Sequence, residues 1–106
     1  MEKLYTTCPV ELTVSLIGSK WKVLILHDLL NGVKRYSELT RTIKGISAKV
    51  LTAMLRDLEK DGIVARKVYP QVPPKVEYSL TDLGKSLEPI LLSMKTWGEN
   101  YQSNKN

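Results

Sequence analysis

The sequence holds one cysteine, Cys8, and one histidine, His27, in 106 residues. A single thiol cannot close an internal disulfide, and one thiol with one imidazole cannot build a soft-ligand metal site within one chain. No apolar run approaches the roughly 20 residues needed to cross a bilayer. The opening stretch, MEKLYTTCPVEL, has no apolar segment of the kind that secretory signals carry. Internal repeats, low-complexity tracts and linkers are also missing. Catalysis asks for polar groups that converge on a pocket, such as a nucleophile beside a base or paired carboxylates. Here the acids are scattered over helix exteriors, and no Gly-rich phosphate loop occurs. These absences lead us to expect a cytoplasmic protein with no cofactor, metal or membrane association, and no enzymatic activity.

What the chain does have is positive charge in one place. Its formal net charge is +5, with hydrophobic residues at 42% and charged residues at 25%, a globular balance suited to one domain spanning residues 1–106. Between Lys34 and Lys75 ten Lys/Arg stand against four acids, a net +6, so the remainder of the chain is slightly acidic. Clustered cations of this kind gain by releasing counterions from phosphates, so the partner they imply is a polyanion.

The hydrophobic spacing divides the chain into helices and a hairpin. Pro9 opens a first helix over 9–17, capped by Thr7 or Cys8, with Val10, Val14 and Ile17 on one stripe before Gly18. Ser19 caps a second helix through Trp21, Leu24, Ile25 and Leu29 that stops at Asn31-Gly32; Lys20 and Lys22, flanking Trp21, read as solvated. His27 reads as a partly exposed residue of that helix. Lys34-Arg35-Tyr36 is short and extended. Ser37 is expected to cap a third helix with Leu39 and Ile43 inward, and Ser47 a fourth that runs to about Asp61, ahead of a left-handed Gly62. The period then changes to two. Val64, Arg66 and Val68 alternate with Ala65, Lys67 and Tyr69, and after a proline-stiffened loop Val76, Tyr78 and Leu80 alternate with Glu77 and Ser79. A last helix over 82–102, capped by Thr81, carries Leu83, Leu87, Ile90, Leu91, Met94, Trp97 and Tyr101 on one side, with Pro89 kinking it or starting a new segment.

The resulting class is mainly α with a small β-hairpin (α+β). The two short helices joined across Gly45 form a helix-turn-helix over 37–61, and the hairpin over 64–80 follows it. If Val50, Leu51, Met54, Leu55 and Leu58 face inward, the fourth helix shows Ala48, Lys49, Thr52, Ala53 and Arg56 outward. Short and basic side chains of this sort let a helix approach base edges. Lys49, Thr52 and Arg56 are therefore the expected major-groove residues, and Ser37 and Ser47 would dock helix N-termini on phosphates. Arg66, Lys67 and Lys75 would clamp the backbone from the hairpin, joined by Lys34 and Arg35. A winged-helix protein-interaction module is the alternative; it would present an acidic or neutral helix face, and the basic residues count against it.

Several motifs together resemble the HxlR family of bacterial transcriptional regulators. They are Cys8-Pro9-Val10-Glu11, Ile17-Gly18-Ser19-Lys20-Trp21-Lys22, Lys34-Arg35-Tyr36-Ser37-Glu38-Leu39, Leu55-Arg56-Asp57-Leu58-Glu59, Val72-Pro73-Pro74-Lys75-Val76-Glu77-Tyr78 and Trp97-Gly98. The resemblance runs from about Cys8 to Trp97. It implies a winged helix-turn-helix with flanking dimerisation helices, a homodimer on palindromic operator double-stranded DNA, and repression or activation of nearby genes, often in response to electrophiles or oxidants.

Dimerisation is also expected from the sequence itself, the other reading being that the apolar stripe packs only on its own domain. The first and last helices carry more large apolar side chains than a small core can cover, and uncovered stripes mark interfaces. The expected interface residues are Val10, Val14, Ile90, Leu91, Met94, Trp97 and Tyr101. Cys8 matches the cysteine that redox-active family members use, and a helix N-terminus with Lys3 nearby would favour its thiolate. The other reading of Cys8 is a small buried side chain capping a helix. With no second cysteine, a redox response is limited to a bridge between two Cys8 thiols, a small-thiol adduct or alkylation by a small electrophile.

Overall fold

The computed structural model describes residues 8–105, the side chain of Lys105 excepted. Thr7 and Lys3, invoked above as a cap and a nearby cation, lie outside the described residues. Helix α1 (Pro9–Ile17) starts with its proline in the first turn, where a missing N–H leaves nothing unsatisfied. Cys8 is its N-cap by backbone geometry, but its side chain makes no capping bond. Helix α2 (Lys20–Leu29) is capped as expected: Ser19 Oγ accepts from the Lys22 N–H at 3.0 Å.

Strand β1 (Lys34–Arg35) runs directly into helix α3 (Tyr36–Thr42). Ser37 therefore does not cap this helix. The N-cap is Arg35, whose backbone N–H is taken up by Glu38 Oε1 at 2.8 Å, and Ser37 sits exposed inside the first turn. The carboxylate three residues on replaces the hydroxyl as the capping group.

Helix α4 (Ala48–Lys60) is capped by Ser47, whose Oγ accepts from the Val50 N–H at 3.1 Å. Leu51, Leu55 and Leu58 are almost fully buried, on one stripe at intervals of four and three. Each contributes about 1.5–3 kcal/mol of burial free energy. Gly62, at φ +77°, turns the chain out of α4 in the left-handed region that glycine alone enters without strain.

Strands β2 (Val64–Tyr69) and β3 (Lys75–Leu80) pair antiparallel from Val64–Leu80 to Tyr69–Lys75, the expected hairpin. β1 pairs with the other edge of β3, giving a three-stranded sheet in the order β1-β3-β2. The last helical region is two elements. A single turn, α5 (Asp82–Lys85), is capped by Thr81 Oγ accepting from the Gly84 N–H at 3.0 Å, and α6 (Glu88–Lys105) begins with Pro89 in its first turn. Of the two outcomes Pro89 allowed, it starts a new segment. Gly84 is required by close approach, since a Cβ there would lie 2.2 Å from the Ile63 carbonyl oxygen.

The core lies where α2, α3 and α4 meet the sheet: Ile25, Leu26, Leu29, Leu39, Leu51, Leu55, Leu58, Ile63, Val64, Tyr78 and Leu80. Two expectations are corrected here. Lys22 is not solvated: it is 6% exposed and its ammonium pairs with Asp57 of α4. Leu91 is not on an outer face: it is 3% exposed and completes this chain's own core. Beyond Leu91, every residue of α6 to Asn104 except Gly98 is exposed. The projecting helix accords with a radius of gyration of 15.0 Å, against about 13 Å for a compact chain of this length.

Candidate nucleic-acid interface

The helix-turn-helix and the hairpin are brought together by their shared core. Leu51, Leu55 and Leu58 fix the inner side of α4, leaving Ser47, Ala48, Lys49, Ala53 and Arg56 exposed and Thr52 half-buried. Thr52 and Arg56, one turn apart, line an open cleft of about 240 Å³ with Glu59 of the same helix and with Arg66 and Tyr78 of the hairpin. Two helix residues and one hairpin residue expected to meet DNA thus share one surface.

The strand register separates the remaining cations by face. Paired residues of antiparallel strands point to the same side, and neighbours along a strand to opposite sides. Lys34, Tyr78 and Arg66 are in register across β1, β3 and β2 and share one face, the one whose Tyr78 and Arg66 join the cleft beside α4. Arg35, Glu77 and Lys67 are in register on the other, with Tyr69 and Lys75 beyond them. On that second face the Lys67 and Lys75 ammonium groups lie 4.9 and 4.6 Å from the centre of the Tyr69 ring, within cation–π range. Tyr69 donates to Glu77 Oε1 at 2.9 Å, and Lys75 lies 3.4 Å from Glu77 Oε2. The Tyr69 hydrogen bond, followed by the nearby Lys75 and Arg35 charges, holds the Glu77 carboxyl below the usual carboxylate range against an opposing effect of burial. Glu77 is therefore an anion set among three cations, and the second face is less positive than its lysines alone suggest.

A family model described as HxlR-like helix-turn-helix matches residues 16–106. The chain belongs to that family. It is a helix-turn-helix transcriptional regulator of the HxlR type. YdeP of Bacillus subtilis (strain 168), an uncharacterized HTH-type transcriptional regulator, is 53% identical over 95 residues, covering 90% of this chain and 74% of that protein. A regulator of the same description from Methanothermobacter thermautotrophicus is 50% identical, covering 91% of this chain and 73% of its own. Among solved structures, the redox regulator HypR in its oxidized form shares 55% identity at a TM-score of 0.84, covering 88% of this chain and 96% of that one. Diamide-treated YodB from B. subtilis shares 41% identity at a TM-score of 0.74, covering 92% of this chain and 97% of its own.

In this HxlR-type chain the other site residues fall as follows. Val10, Val14, Ile90, Met94, Trp97 and Tyr101 are exposed, and Trp97, at 68%, stacks on Tyr101 with ring centres 5.4 Å apart. Cys8 is exposed, which removes its reading as a buried cap. His27 is exposed on α2. Trp21 is half-buried against the core, with the Lys20 ammonium 4.5 Å from its ring centre. Sequence reasoning missed four groups: Tyr36, Glu59, Tyr69 and Glu77. The alternation of β2 and β3 could have placed Tyr69 and Glu77 together, because the hairpin register follows from it. Nothing in the local spacing announces that Tyr36 reaches α4.

Proposed function

We propose that this chain binds palindromic operator DNA as a homodimer, with α4 of each copy in successive major grooves and the β2–β3 hairpin on the flanking backbone. The observation that carries the reading is the cleft shared by Thr52, Arg56 and Arg66 at the front of a segment carrying net +6. Lys49, Thr52 and Arg56 face base edges; Ser37 and Ser47 sit near phosphates; Lys34, Arg35, Arg66, Lys67 and Lys75 hold the backbone. A two-fold dimer sets paired helices roughly 34 Å apart, which is why the operator is palindromic. The exposed apolar side of α6, with Val10 and Val14 of α1, is the dimer surface. The protein works in the cytoplasm, away from membranes, and performs no catalysis. Its exposed Cys8 answers small electrophiles or oxidants by alkylation, by a mixed disulfide or by a bridge between two Cys8 thiols.

Alanine variants test the assignments. Arg56→Ala is expected to cost about 1–3 kcal/mol, mostly on the preferred sequence. Lys67→Ala is expected to weaken all DNA alike and flatten the salt slope by about one. Indistinguishable behaviour of the two would contradict the assignments, and absence of selective binding by the wild type to any candidate DNA would favour the protein-interaction reading. For the sensor, diamide is expected to lower wild-type affinity but not that of Cys8→Ser; equal losses would remove Cys8 from the account.

A further inference from the structure

We propose that Tyr36 fixes Thr52 as a hydrogen-bond acceptor, so that the operator base facing Thr52 belongs to the amino class, adenine or cytosine. This inference rests on the DNA-binding reading of α4. It concerns which base is read, and it adds a positioning residue from the preceding helix.

Tyr36 is the first residue of α3, and its ring packs half-buried against the core. Its hydroxyl reaches the start of α4, where it donates to the Ala48 carbonyl oxygen at 3.0 Å and lies 3.1 Å from Thr52 Oγ1. A phenol has one proton. The Ala48 carbonyl can only accept, so that proton is committed to it. The contact with Thr52 is then satisfied in one direction alone: Thr52 donates to the Tyr36 oxygen. The threonine has one proton as well, and it points inward along this bond. What Thr52 offers to the cleft it shares with Arg56 and Arg66 is lone pairs.

The major-groove edges of the bases divide cleanly against such a group. Adenine N6 and cytosine N4 are donors, in adenine beside the N7 acceptor; guanine O6 and N7 and thymine O4 are acceptors with no donor beside them. An acceptor-only hydroxyl binds the first pair and meets the second lone pair to lone pair. A threonine with a freely turning hydroxyl would make no such distinction. Arg56, one turn further along the same helix, carries only donors and is suited to guanine, so the two residues read opposite classes. Tyr36 itself touches no base.

The test is selection of bound duplexes from a library of 30-base-pair DNA with a randomised centre, sequenced for the wild-type protein and for Tyr36→Phe, Thr52→Val and Thr52→Ser. The wild type is expected to show one position per half-site at which adenine or cytosine exceeds guanine or thymine by at least about fivefold. Tyr36→Phe keeps the ring but frees the threonine proton. That position is then expected to fall to less than about twofold preference, with every other position and the salt slope unchanged. Thr52→Val is expected to lose the amino preference at the same position, and Thr52→Ser, which keeps the hydroxyl, to retain it. Amino preference unchanged in Tyr36→Phe would overturn the inference while leaving DNA recognition by α4 intact. So would a uniform loss across all positions, which is the signature of a purely structural tyrosine. Absence of any enriched sequence for the wild type would instead overturn the DNA-binding reading itself. Thr52→Val tests the same position without touching Tyr36, so a Tyr36→Phe protein that failed to fold would still leave the claim open to refutation: an amino preference persisting in Thr52→Val overturns it.

Discussion

Lys22 stands three, four and seven residues before Ile25, Leu26 and Leu29, all of them buried, and so on the inward side of α2. Its charge is tolerated because Asp57 of α4 meets it there. Removing one member of a buried pair strands the other, at about 3–5 kcal/mol when both are fully buried. With the Asp57 side chain 30% exposed, Lys22→Ala is expected to cost less, about 2–3 kcal/mol, read as a lowered urea midpoint at unchanged slope. Stability within about 0.5 kcal/mol of wild type would show the pair to be energetically idle. The signal for this pair was present in the spacing: a lysine on the i, i+3, i+4, i+7 stripe is either paired or misplaced. Residue type outweighed periodicity in the expectation that it was solvated. Glu77 shows the opposite difficulty. Lys67 and Lys75 come to it through the hairpin register, but the approach of Arg35 depends on β1 pairing with β3, a contact between residues more than 40 apart that local pattern cannot specify.

At the scale of elements, what is local was legible. The Ser19, Ser47 and Thr81 caps, the α4 stripe and the hairpin register all follow from short-range rules, because a cap or an alternation needs only neighbours along the chain. The start of α3 was displaced because Glu38, rather than a hydroxyl, satisfies the free backbone N–H. Helix α6 marks the boundary between what one chain can and cannot explain. Leu91 faces its own core while Ile90, Met94, Trp97 and Tyr101 stay exposed, and adjacent apolar residues cannot be sorted between core and interface by spacing alone. A projecting helix of about this length is marginal in water without something to pack on. Trp97→Ser is therefore expected to shift the protein from dimer to monomer in sedimentation velocity, and to reduce α6 helicity by circular dichroism. A variant that remained dimeric would move the interface elsewhere.

At the scale of the whole molecule, the sequence conveys function more readily than detail because the charge that matters is concentrated. The segment from Lys34 to Lys75 folds so that α4 and the hairpin share a cleft, and the residues outside it carry the exposed apolar side chains proposed above as the pairing surface. Thr52, Arg56 and Arg66 can each be singled out as candidates in isolation. That they meet, and that Lys67 and Lys75 face away from them, is a property of the sheet register and of the α4 packing angle. The measurement that bears most directly on the account is a titration of the purified protein against duplexes from upstream of its own gene and its neighbours, beside shuffled controls, at several salt concentrations. The account requires at least one duplex bound far more tightly than its shuffled form, by two chains, with affinity falling steeply as salt rises. Equal affinity for every duplex, or none for any, would contradict it.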